Sequence, residues 1–367
     1  MADDVATRIE ETLTGVLGEG IDHGVFPGAS ASVALFRGRD WTYVDAATGS
    51  LGEGLGSVDT ESVYDLASIT KPFVATSALT LHQRGAFDLG ARVADSLDEA
   101  MGFPIGERTW EELLTHRSGL EAWVPFYETL PHRAGTPAAR AWIVEQLLRH
   151  WEQTSVGTPV YSDLGYILVG LALERVTGTP LADVVQKEVT GGLDIERDAF
   201  FGAASQDEVW KTQCAATGWS EWRGEMLCGE VHDDNCAALG GVAGHAGMFG
   251  RARAVARFGA AQVSAWHGRH GALAEERILH AVSPRPGGSH RLGWDGRADE
   301  GSAAGSLIDP EAFGHLGFTG TSLWCDPQRQ LVVVVLTNRV AVPGDNAAIR
   351  RFRPRVHDAL MKAFDGF

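Results

Sequence analysis

Strand patterns lie at both ends of this 367-residue chain, and helical patterns fill the region between them. Near the start, residues 29–37 and 41–48 predict two strands joined by a turn. Near the end, residues 317–326 and 330–337 predict another pair of strands. The unbroken β-branched run 332–335 is typical of a strand that is covered on both faces. A single sheet assembled from both chain ends satisfies these patterns.

Helical periodicity covers both termini and the middle of the chain. Residues 5–17, 68–84 and 164–176 carry apolar side chains at helical spacing. Gly85 and Gly178 follow the second and third of these segments, as expected where glycine caps the end of a helix. The last predicted helix has Pro354 near its start and an apolar face made of Val356, Leu360 and Phe364.

The order of these patterns predicts two structural units. Residues 1–88 and 240–367 form an α/β domain whose sheet is built from both chain ends and covered by the terminal helices. Residues 89–239 form a second, mainly helical domain. Clefts between such units are favoured places for ligand sites.

Charge and composition exclude several classes of function. The chain holds 31 basic and 48 acidic residues, which gives a formal net charge of −17. Nucleic acids and anionic membranes attract basic surfaces, so neither is expected as a partner. The longest aliphatic run, residues 331–336, is far shorter than the roughly 20 residues that span a bilayer. The acidic residues 1–4 do not resemble a secretory signal, so we expect a cytoplasmic protein.

Ser68 and Lys71 form the first candidate site. At positions i and i+3 of a helix, their side chains lie on one face and within hydrogen-bond reach. A serine hydroxyl needs a neighbouring base to become nucleophilic, and a lysine can act as that base when burial lowers the pKa of its amine. Ser68 would also lie at a helix N-terminus, where free N–H groups stabilise an oxyanion.

The S-x-x-K spacing alone has a structural alternative. The chain holds only four lysines, and roughly 0.2 S-x-x-K matches are expected by chance. Ser68 as a helix N-cap beside an exposed Lys71 would produce the same spacing without catalysis.

Two further segments carry candidate side chains. Tyr161 and Asp163 precede a predicted helix, and a tyrosine whose pKa is lowered by nearby cations can relay a proton. His315 precedes Gly317, which would let a substrate approach the backbone, and the Phe318 N–H could donate to an oxyanion. A packed tyrosine, an N-capping aspartate and a surface histidine are the structural alternatives.

In this order, the segments resemble the three active-site motifs of the serine β-lactamase and penicillin-binding protein superfamily: S-x-x-K, Y-x-N and K-T-G. Residues 67–73 (A-S-I-T-K-P-F) are similar to the nucleophile segment of the branch that contains class C β-lactamases, DD-peptidases and related esterases. Residues 113–120 (L-L-T-H-R-S-G-L) and 314–321 (G-H-L-G-F-T-G-T) are similar to two further signatures of that branch. Residues 231–233 and 240–250 resemble a subgroup of β-lactamase-related serine hydrolases.

This resemblance implies a β-lactamase-like α/β fold: a sandwich of an antiparallel sheet flanked by helices, with an inserted all-helical lobe. It also implies acyl transfer from a small-molecule or peptide substrate to water, without a cofactor. Ser68 would attack the carbonyl and Lys71 would take its proton, with Tyr161 as partner base or proton relay. Backbone N–H groups of Ser68 and Phe318 would stabilise the oxyanion, and His315 would orient the substrate or tune Tyr161.

Departures from the family motifs bear on the substrate. Asp163 replaces the family asparagine, so it cannot donate an amide N–H and can pair with Lys71 instead. His315 and Leu316 replace the lysine and threonine that help to bind the carboxylate of β-lactams and D-Ala-D-Ala peptides. We therefore expect an esterase or D-amino-acid peptidase, with weak β-lactamase activity as a further option. The expected substrate-binding residues are Asp163, Gly317, His232 and Asp233.

Two other classes of function stay open. A member of the same fold can bind a peptidoglycan fragment or peptide without catalysis, but it would be expected to have lost one of the catalytic side chains. A metal-dependent hydrolase is the second option, although we expect no metal because the possible ligands follow no usual zinc spacing. Those ligands are His232, Asp233, Cys236 and His245.

Overall fold

A computed structural model describes residues 2–269, 273–344 and 346–366. Its strands are β1 Gly28–Arg37, β2 Asp40–Gly52, β3 Gly56–Ser57, β4 Tyr64–Asp65, β5 Ser118–Leu120, β6 Trp151–Val156, β7 Ala199–Phe201, β8 Ala216–Ser220, β9 Glu225–Cys228, β10 Met248–Gly250, β11 Asp295–Gly296, β12 Phe313–Leu316, β13 Ser322–Asp326 and β14 Leu331–Thr337. Its α-helices are α1 Ala2–Asp22, α2 Thr70–Gln83, α3 Trp110–Leu114, α4 Pro137–Leu147, α5 Asp163–Thr177, α6 Leu181–Val185, α7 Asp234–Ala238, α8 Ala252–Trp266, α9 Glu275–Val282 and α10 Ala347–Asp365. Within these residues, no helix combines the length and the hydropathy needed to cross a membrane.

Strands from the two chain ends form one antiparallel sheet, as the sequence predicts. In the described ranges its order is β11-β12-β13-β14-β1-β2-β3. Strand β1 pairs with β14, where Val33 lies opposite Val333, and with β2, where Val33 lies opposite Val44. The first strand of the chain therefore lies beside the last one, which joins the two ends into one structural unit.

Alternate residues of β14 face two separate hydrophobic cores. Val332 and Val334 pack in the core that contains residues of α8, on one face of the sheet. Val333 and Val335 pack with residues of α1 and α10 on the other face. Helices thus cover both faces, which explains the unbroken β-branched run and confirms the predicted sandwich.

The middle of the chain contains helices α3–α7 but is not all helical, contrary to expectation. Strand β5 pairs with β6, and β8 pairs with β9. In the first pair, the Trp151 indole N–H donates to the Ser118 carbonyl at 2.8 Å. Such short strands carry too few residues for their alternation to be distinguished from that of a loop. The domain boundaries at residues 88 and 240 stay a prediction.

Two predicted boundaries near the C-terminus are wrong. The predicted strand 317–326 is shorter, because a turn over residues 317–321 separates β12 from β13. Gly320 in this turn has a φ of +105°, a conformation that favours glycine. Helix α10 begins at Ala347, so Pro354 lies inside the helix and not near its start. Arginines interrupt the apolar pattern in the first turns of α10 and conceal where it begins.

Helix α10 buries His357, whose ring nitrogens have no hydrogen-bond partner in the part of the chain that the structure describes. Burial, together with the charge of Arg353, lowers the pKa of this imidazole to about 3. In the unfolded chain, the His357 imidazole binds a proton once the pH falls below about 6.5. In the folded protein, it does so only at a much lower pH. Stability is therefore lost as the pH falls below about 6.5.

We predict that His357→Leu weakens the pH dependence of folding. Between about pH 6 and pH 4, the free energy of unfolding should change by about 1.4 kcal/mol less per pH unit, which corresponds to one proton. Chemical denaturation at several pH values measures this slope. The exposed His132→Gln variant controls for the general effect of removing a histidine, and equal slopes in His357→Leu and the parent would contradict the prediction.

Candidate active site

Ser68 lies in a strained turn that leads into α2. The chain leaves β4, makes a 3-10 turn over Ala67–Ile69 and enters the helix at Thr70. Ala67 has a φ of +47°, in the left-handed region that residues other than glycine rarely adopt. The buried Asp65 carboxylate accepts the Ala67 N–H at 2.8 Å and holds the chain in this conformation. The turn presents a half-buried Ser68 side chain at the N-terminus of α2.

The Lys71 side chain lies one helical turn after Ser68 and is completely buried. Its Nζ donates to Ser68 Oγ at 2.8 Å and to the His245 carbonyl at 3.3 Å. Nζ also lies 2.7 Å from Oδ1 of Asp163, the first residue of α5. The structure thus brings α2, α5 and the segment around His245 together at one ammonium group.

The Asp163 ion pair reverses the shift that was expected for the Lys71 pKa. Burial lowers this pKa, but the negative charge of Asp163 and the contact with Tyr161 outweigh burial and raise it above its ordinary value. Lys71 therefore rests as an ammonium ion, which can stabilise negative charge on Ser68. The shift has the opposite direction to the one expected from burial alone, and the role of Lys71 as the base stays a prediction.

The phenol of Tyr161 interacts with both Ser68 and Lys71, and each of these neighbours lowers its pKa. Its ring centroid lies 4.8 Å from Lys71 Nζ. Burial raises the pKa of the Tyr161 phenol, and the opposing effect of Lys71 does not bring it back to its ordinary value. At neutral pH the phenol is therefore protonated, and its anionic form becomes available only as the pH rises.

Three imidazoles surround the Tyr161 ring. Its centroid lies 4.6 Å from that of His116, 5.4 Å from that of His290 and 6.0 Å from that of His315. Burial lowers the pKa of all three histidines, and with the added charge of Lys71 that of His315 falls to about 3. These side chains are therefore neutral at neutral pH and add no positive charge to the site.

His315 lies in β12 at the position of the family lysine. Its Nδ1 lies 2.9 Å from the Leu316 carbonyl oxygen. Because a carbonyl only accepts, Nδ1 carries the hydrogen and Nε2 remains an acceptor. A neutral imidazole with a free acceptor nitrogen does not attract a substrate carboxylate as a lysine would.

The turn after β12 packs against the Ser68 turn. Thr321 Oγ1 donates to the Leu66 carbonyl at 3.2 Å. A Cβ atom on Gly317 would lie 2.0 Å from Thr321 Oγ1 and 2.6 Å from the Leu66 carbonyl oxygen, so only glycine fits there. This close packing places Phe318, the candidate oxyanion donor, on the segment that adjoins the Ser68 turn.

His232 and Asp233 lie near Phe318, in the wall of a cavity that Ser68 also lines. The His232 ring stacks on the Phe318 ring, with centroids 5.4 Å apart and an angle of 11° between planes. Asp233 Oδ1 lies 2.9 Å from His245 Nε2 and accepts the Cys236 N–H at 2.7 Å. Burial raises the pKa of Asp233, but these two contacts outweigh it and hold the pKa at about 2. Among the described residues, no three His, Cys, Asp or Glu side chains are grouped as ligands for one metal ion.

Ser68 lies between two cavities. The first, of about 540 Å³, has Tyr161 and His315 in its wall. The second, of about 490 Å³, has His232 and Asp233 in its wall. The residues common to both cavities are Ser68, Asp163 and Phe318. A larger cavity of about 720 Å³ lies elsewhere and is lined by none of the predicted site residues.

Asp65 is a site residue that the sequence analysis missed. Its Oδ1 accepts the Ala67 N–H, its Oδ2 accepts the His232 N–H at 2.7 Å, and its carbonyl accepts from Thr319 Oγ1 at 2.7 Å. Burial raises the pKa of this carboxyl to about 6. Asp65 thus joins the Ser68 turn to both neighbouring loops, and a single acidic residue within an apolar stretch was the available signal. His116 and His290 were also missed as neighbours of the site, whereas His245 was considered only as a possible metal ligand and contacts Asp233 instead.

Comparisons with known proteins agree with this arrangement. A sequence model of the family described as beta-lactamase matches residues 13–356. A putative D-alanyl-D-alanine carboxypeptidase of Escherichia coli (strain K12) is 28% identical over 312 residues, which cover 77% of this chain and 70% of that protein. An N-acetylmuramyl-L-alanine amidase of Bacillus subtilis (strain 168) is 28% identical over 308 residues, which cover 77% of this chain and 69% of that protein.

Two solved structures share the fold. EstCE1, described as a hydrolase with promiscuous acyltransferase activity, has a TM-score of 0.76 at 20% identity and covers 97% of this chain and 99% of its own. A class C β-lactamase from Rhodobacter sphaeroides has a TM-score of 0.69 at 20% identity, with 95% and 99% of the two chains covered. At such identities, the likeness establishes the fold alone.

We predict that Asp163→Asn moves the acid limb of the pH–rate profile to lower pH. The Asp163 charge raises the pKa of both Lys71 and Tyr161, so removing it lowers both. Whichever of the two accepts the nucleophile's proton, its basic form should appear about one pH unit lower. The measurement is kcat/KM for p-nitrophenyl butyrate against pH, with Asp295→Asn in the same cavity as control. A limb that does not move would contradict the proposed electrostatics.

We also predict that Asp65→Asn lowers kcat more than it raises KM. An asparagine has one acceptor oxygen, so it cannot accept both the Ala67 and His232 N–H groups. Losing a charge-assisted hydrogen bond costs about 1.5–3 kcal/mol, so kcat should fall about tenfold or more. Steady-state kinetics and thermal unfolding together measure this, with the exposed Asp59→Asn as the matched control. A folded Asp65→Asn protein with unchanged kcat would refute the positioning role.

Proposed function

The chain belongs to the β-lactamase family and is a serine hydrolase, and we propose that it cleaves carboxylic esters through an acyl-enzyme formed on Ser68. One observation carries this proposal: Ser68 Oγ lies 2.8 Å from a fully buried Lys71 ammonium group, in a cavity whose wall also contains Tyr161. A non-catalytic binding protein has no need for a buried charge beside a serine hydroxyl, because burying a charge is costly.

We assign the first proton transfer to Tyr161. Ser68 Oγ forms a bond to the substrate carbonyl carbon while its proton passes to the phenolate form of Tyr161. The same proton then passes to the departing alcohol or amine, whose bond to the carbonyl carbon breaks. Lys71 remains an ammonium ion throughout and stabilises negative charge on the Ser68 and Tyr161 oxygens. Water then attacks the acyl carbon, its proton passes through Tyr161 to Ser68 Oγ, and the bond between Oγ and the acyl carbon breaks to release the acid.

Backbone donors support the proposed oxyanion site. The Ser68 N–H lies in the turn that opens α2, where the helix dipole favours negative charge. The Phe318 N–H lies in the turn that packs against it. Donors fixed in this way stabilise the charge that develops on the carbonyl oxygen in the transition state.

The wall of the first cavity favours esters over β-lactams. His315 is neutral and Leu316 is apolar, so neither provides the charge and hydroxyl with which the family motif helps to bind a carboxylate. The cavity does contain Arg350, which is exposed. This guanidinium supports a second candidate function, hydrolysis of a D-amino-acid peptide that ends in a carboxylate.

The remaining expectations from the sequence stand as part of the proposal. We propose a small-molecule or peptide substrate, a cytoplasmic location and a reaction that needs no cofactor. We also propose which residues contact the substrate, because each of them lines one of the two cavities beside Ser68. Gly317 lines the first cavity, His232 and Asp233 line the second, and Asp163 lines both.

We predict that Ser68→Ala reduces hydrolysis of p-nitrophenyl butyrate to below about 1% of the parent, because loss of a nucleophile normally costs several orders of magnitude. Ser77→Ala, which changes a buried serine two helical turns further along α2, is the matched control and should keep most of the activity. Circular dichroism verifies that both variants fold. Activity of a folded Ser68→Ala protein close to that of the parent would exclude Ser68 as the nucleophile.

A further inference from the structure

The second cavity beside Ser68 has an unusual combination of aromatic and acidic walls. We call it the acidic aromatic cavity, and its volume is about 490 Å³. Its carboxylates are those of Asp163, Asp233 and Asp234, and none of its lining residues is a lysine or an arginine.

The cations that balance these carboxylates lie behind the wall and not in the cavity. Lys71 pairs with Asp163 and has a fully buried side chain. Arg223 pairs with Asp234 at 2.8 Å and is mostly buried. Asp233 has a neighbouring histidine but neither a lysine nor an arginine as an ion-pair partner among the described residues, and a quarter of its side chain is exposed. The cavity therefore presents negative charge to a molecule inside it.

Exposed aromatic faces form the rest of the rim. Trp123 is 46% exposed, although large aromatic side chains are usually buried. Phe318 is exposed as well, but His232 stacks on its ring and the Arg339 guanidinium lies 4.8 Å from its centroid, so it offers no free face. The Trp123 and Tyr127 rings lie 6.3 Å apart, and Trp222 extends this group 5.4 Å beyond Tyr127. Aromatic faces beside a carboxylate attract organic cations, above all ammonium groups that carry alkyl substituents.

The field of the whole protein has the same sign. The formal net charge of −17 attracts cations to the surface and repels anions. The first cavity differs, because its wall contains Arg350 and Arg353 besides Asp163 and Asp295. Ser68 thus lies between an acidic cavity and a cavity of mixed charge.

We propose that the acidic aromatic cavity binds an alkylammonium group of the substrate, so that the enzyme prefers esters or amides that carry a positive charge on one side of the scissile bond. The inference rests on the proposed function, because only attack by Ser68 makes binding in this cavity productive. Asp233 supplies the charge, and Trp123 with Tyr127 supplies the aromatic faces.

Matched pairs of substrates test this preference on either side of the bond. In the first pair, the leaving thiol carries either a trimethylammonium group or an uncharged tert-butyl group: butyrylthiocholine and S-(3,3-dimethylbutyl) thiobutyrate. In the second pair, the acyl chain carries these two groups: the p-nitrophenyl esters of 4-(trimethylammonio)butyrate and 5,5-dimethylhexanoate. We expect kcat/KM to be about tenfold higher for the cation in at least one pair, and this ratio to decrease as salt is added.

Variants locate the preference in the acidic aromatic cavity. Asp233→Asn keeps a residue that can cap α7, and Trp123→Leu changes a half-exposed side chain, so both should fold. Each should bring the ratio close to one, whereas Asp295→Asn in the other cavity should leave it unchanged. Ratios at or below one in the parent, or a preference that survives both Asp233→Asn and Trp123→Leu, would overturn the inference.

A binding measurement separates this inference from the proposed function. Calorimetric titration of the Ser68→Ala protein with hexyltrimethylammonium requires no turnover, and adding Asp233→Asn should weaken binding about tenfold. If this binding is found but no ester is hydrolysed, the proposed function fails and the cavity assignment stands. If esters are hydrolysed through Ser68 without charge preference and the cation does not bind, only the cavity assignment fails.

Discussion

The buried ammonium group of Lys71 is the constraint on which the site depends. An unpaired charge in the interior costs several kcal/mol, so the fold must bring partners to Nζ. It does so from separate elements: Ser68 on the turn before α2, Asp163 at the start of α5, and the His245 carbonyl on the loop before β10. The contacts that offset the cost of burying the Lys71 charge therefore also position Ser68 and the segments around it.

Asp163 stands where the family motif has an asparagine, and its carboxylate changes the charge balance around Lys71. A carboxylate 2.7 Å from Nζ keeps Lys71 charged, and we propose Tyr161 as the group that accepts the Ser68 proton. Neutral histidines surround the phenol, and His315 replaces a charged lysine with an uncharged acceptor. Lys71 thus provides positive charge beside Ser68, where it stabilises an oxyanion, whereas His315 provides none for a substrate carboxylate.

Short sequence patterns correctly predicted a buried strand, the end of a helix and the Ser68–Lys71 pair. The run 332–335 identified a strand covered on both faces, and Gly178 caps α5 with a φ of +68° where a helix end was expected. The S-x-x-K spacing identified a pair that the helix repeat alone brings together. The sequence predicted that Asp163 can pair with Lys71, and the ion pair confirms it, but the expected Lys71 pKa took account of burial and not of this charge. Asp65 was missed because its partners lie on separate loops, and only the folded chain shows them.

The central claim is that Ser68 becomes covalently acylated during each turnover. The most direct measurement is intact-protein mass spectrometry, followed by peptide mapping, after brief reaction with a fluorophosphonate and after acid quenching during turnover of a slow ester. The account predicts one adduct per chain on the peptide that contains Ser68, in the parent and in Ser77→Ala but not in Ser68→Ala. An adduct on another residue, or hydrolysis that proceeds while Ser68 stays unmodified, would contradict it.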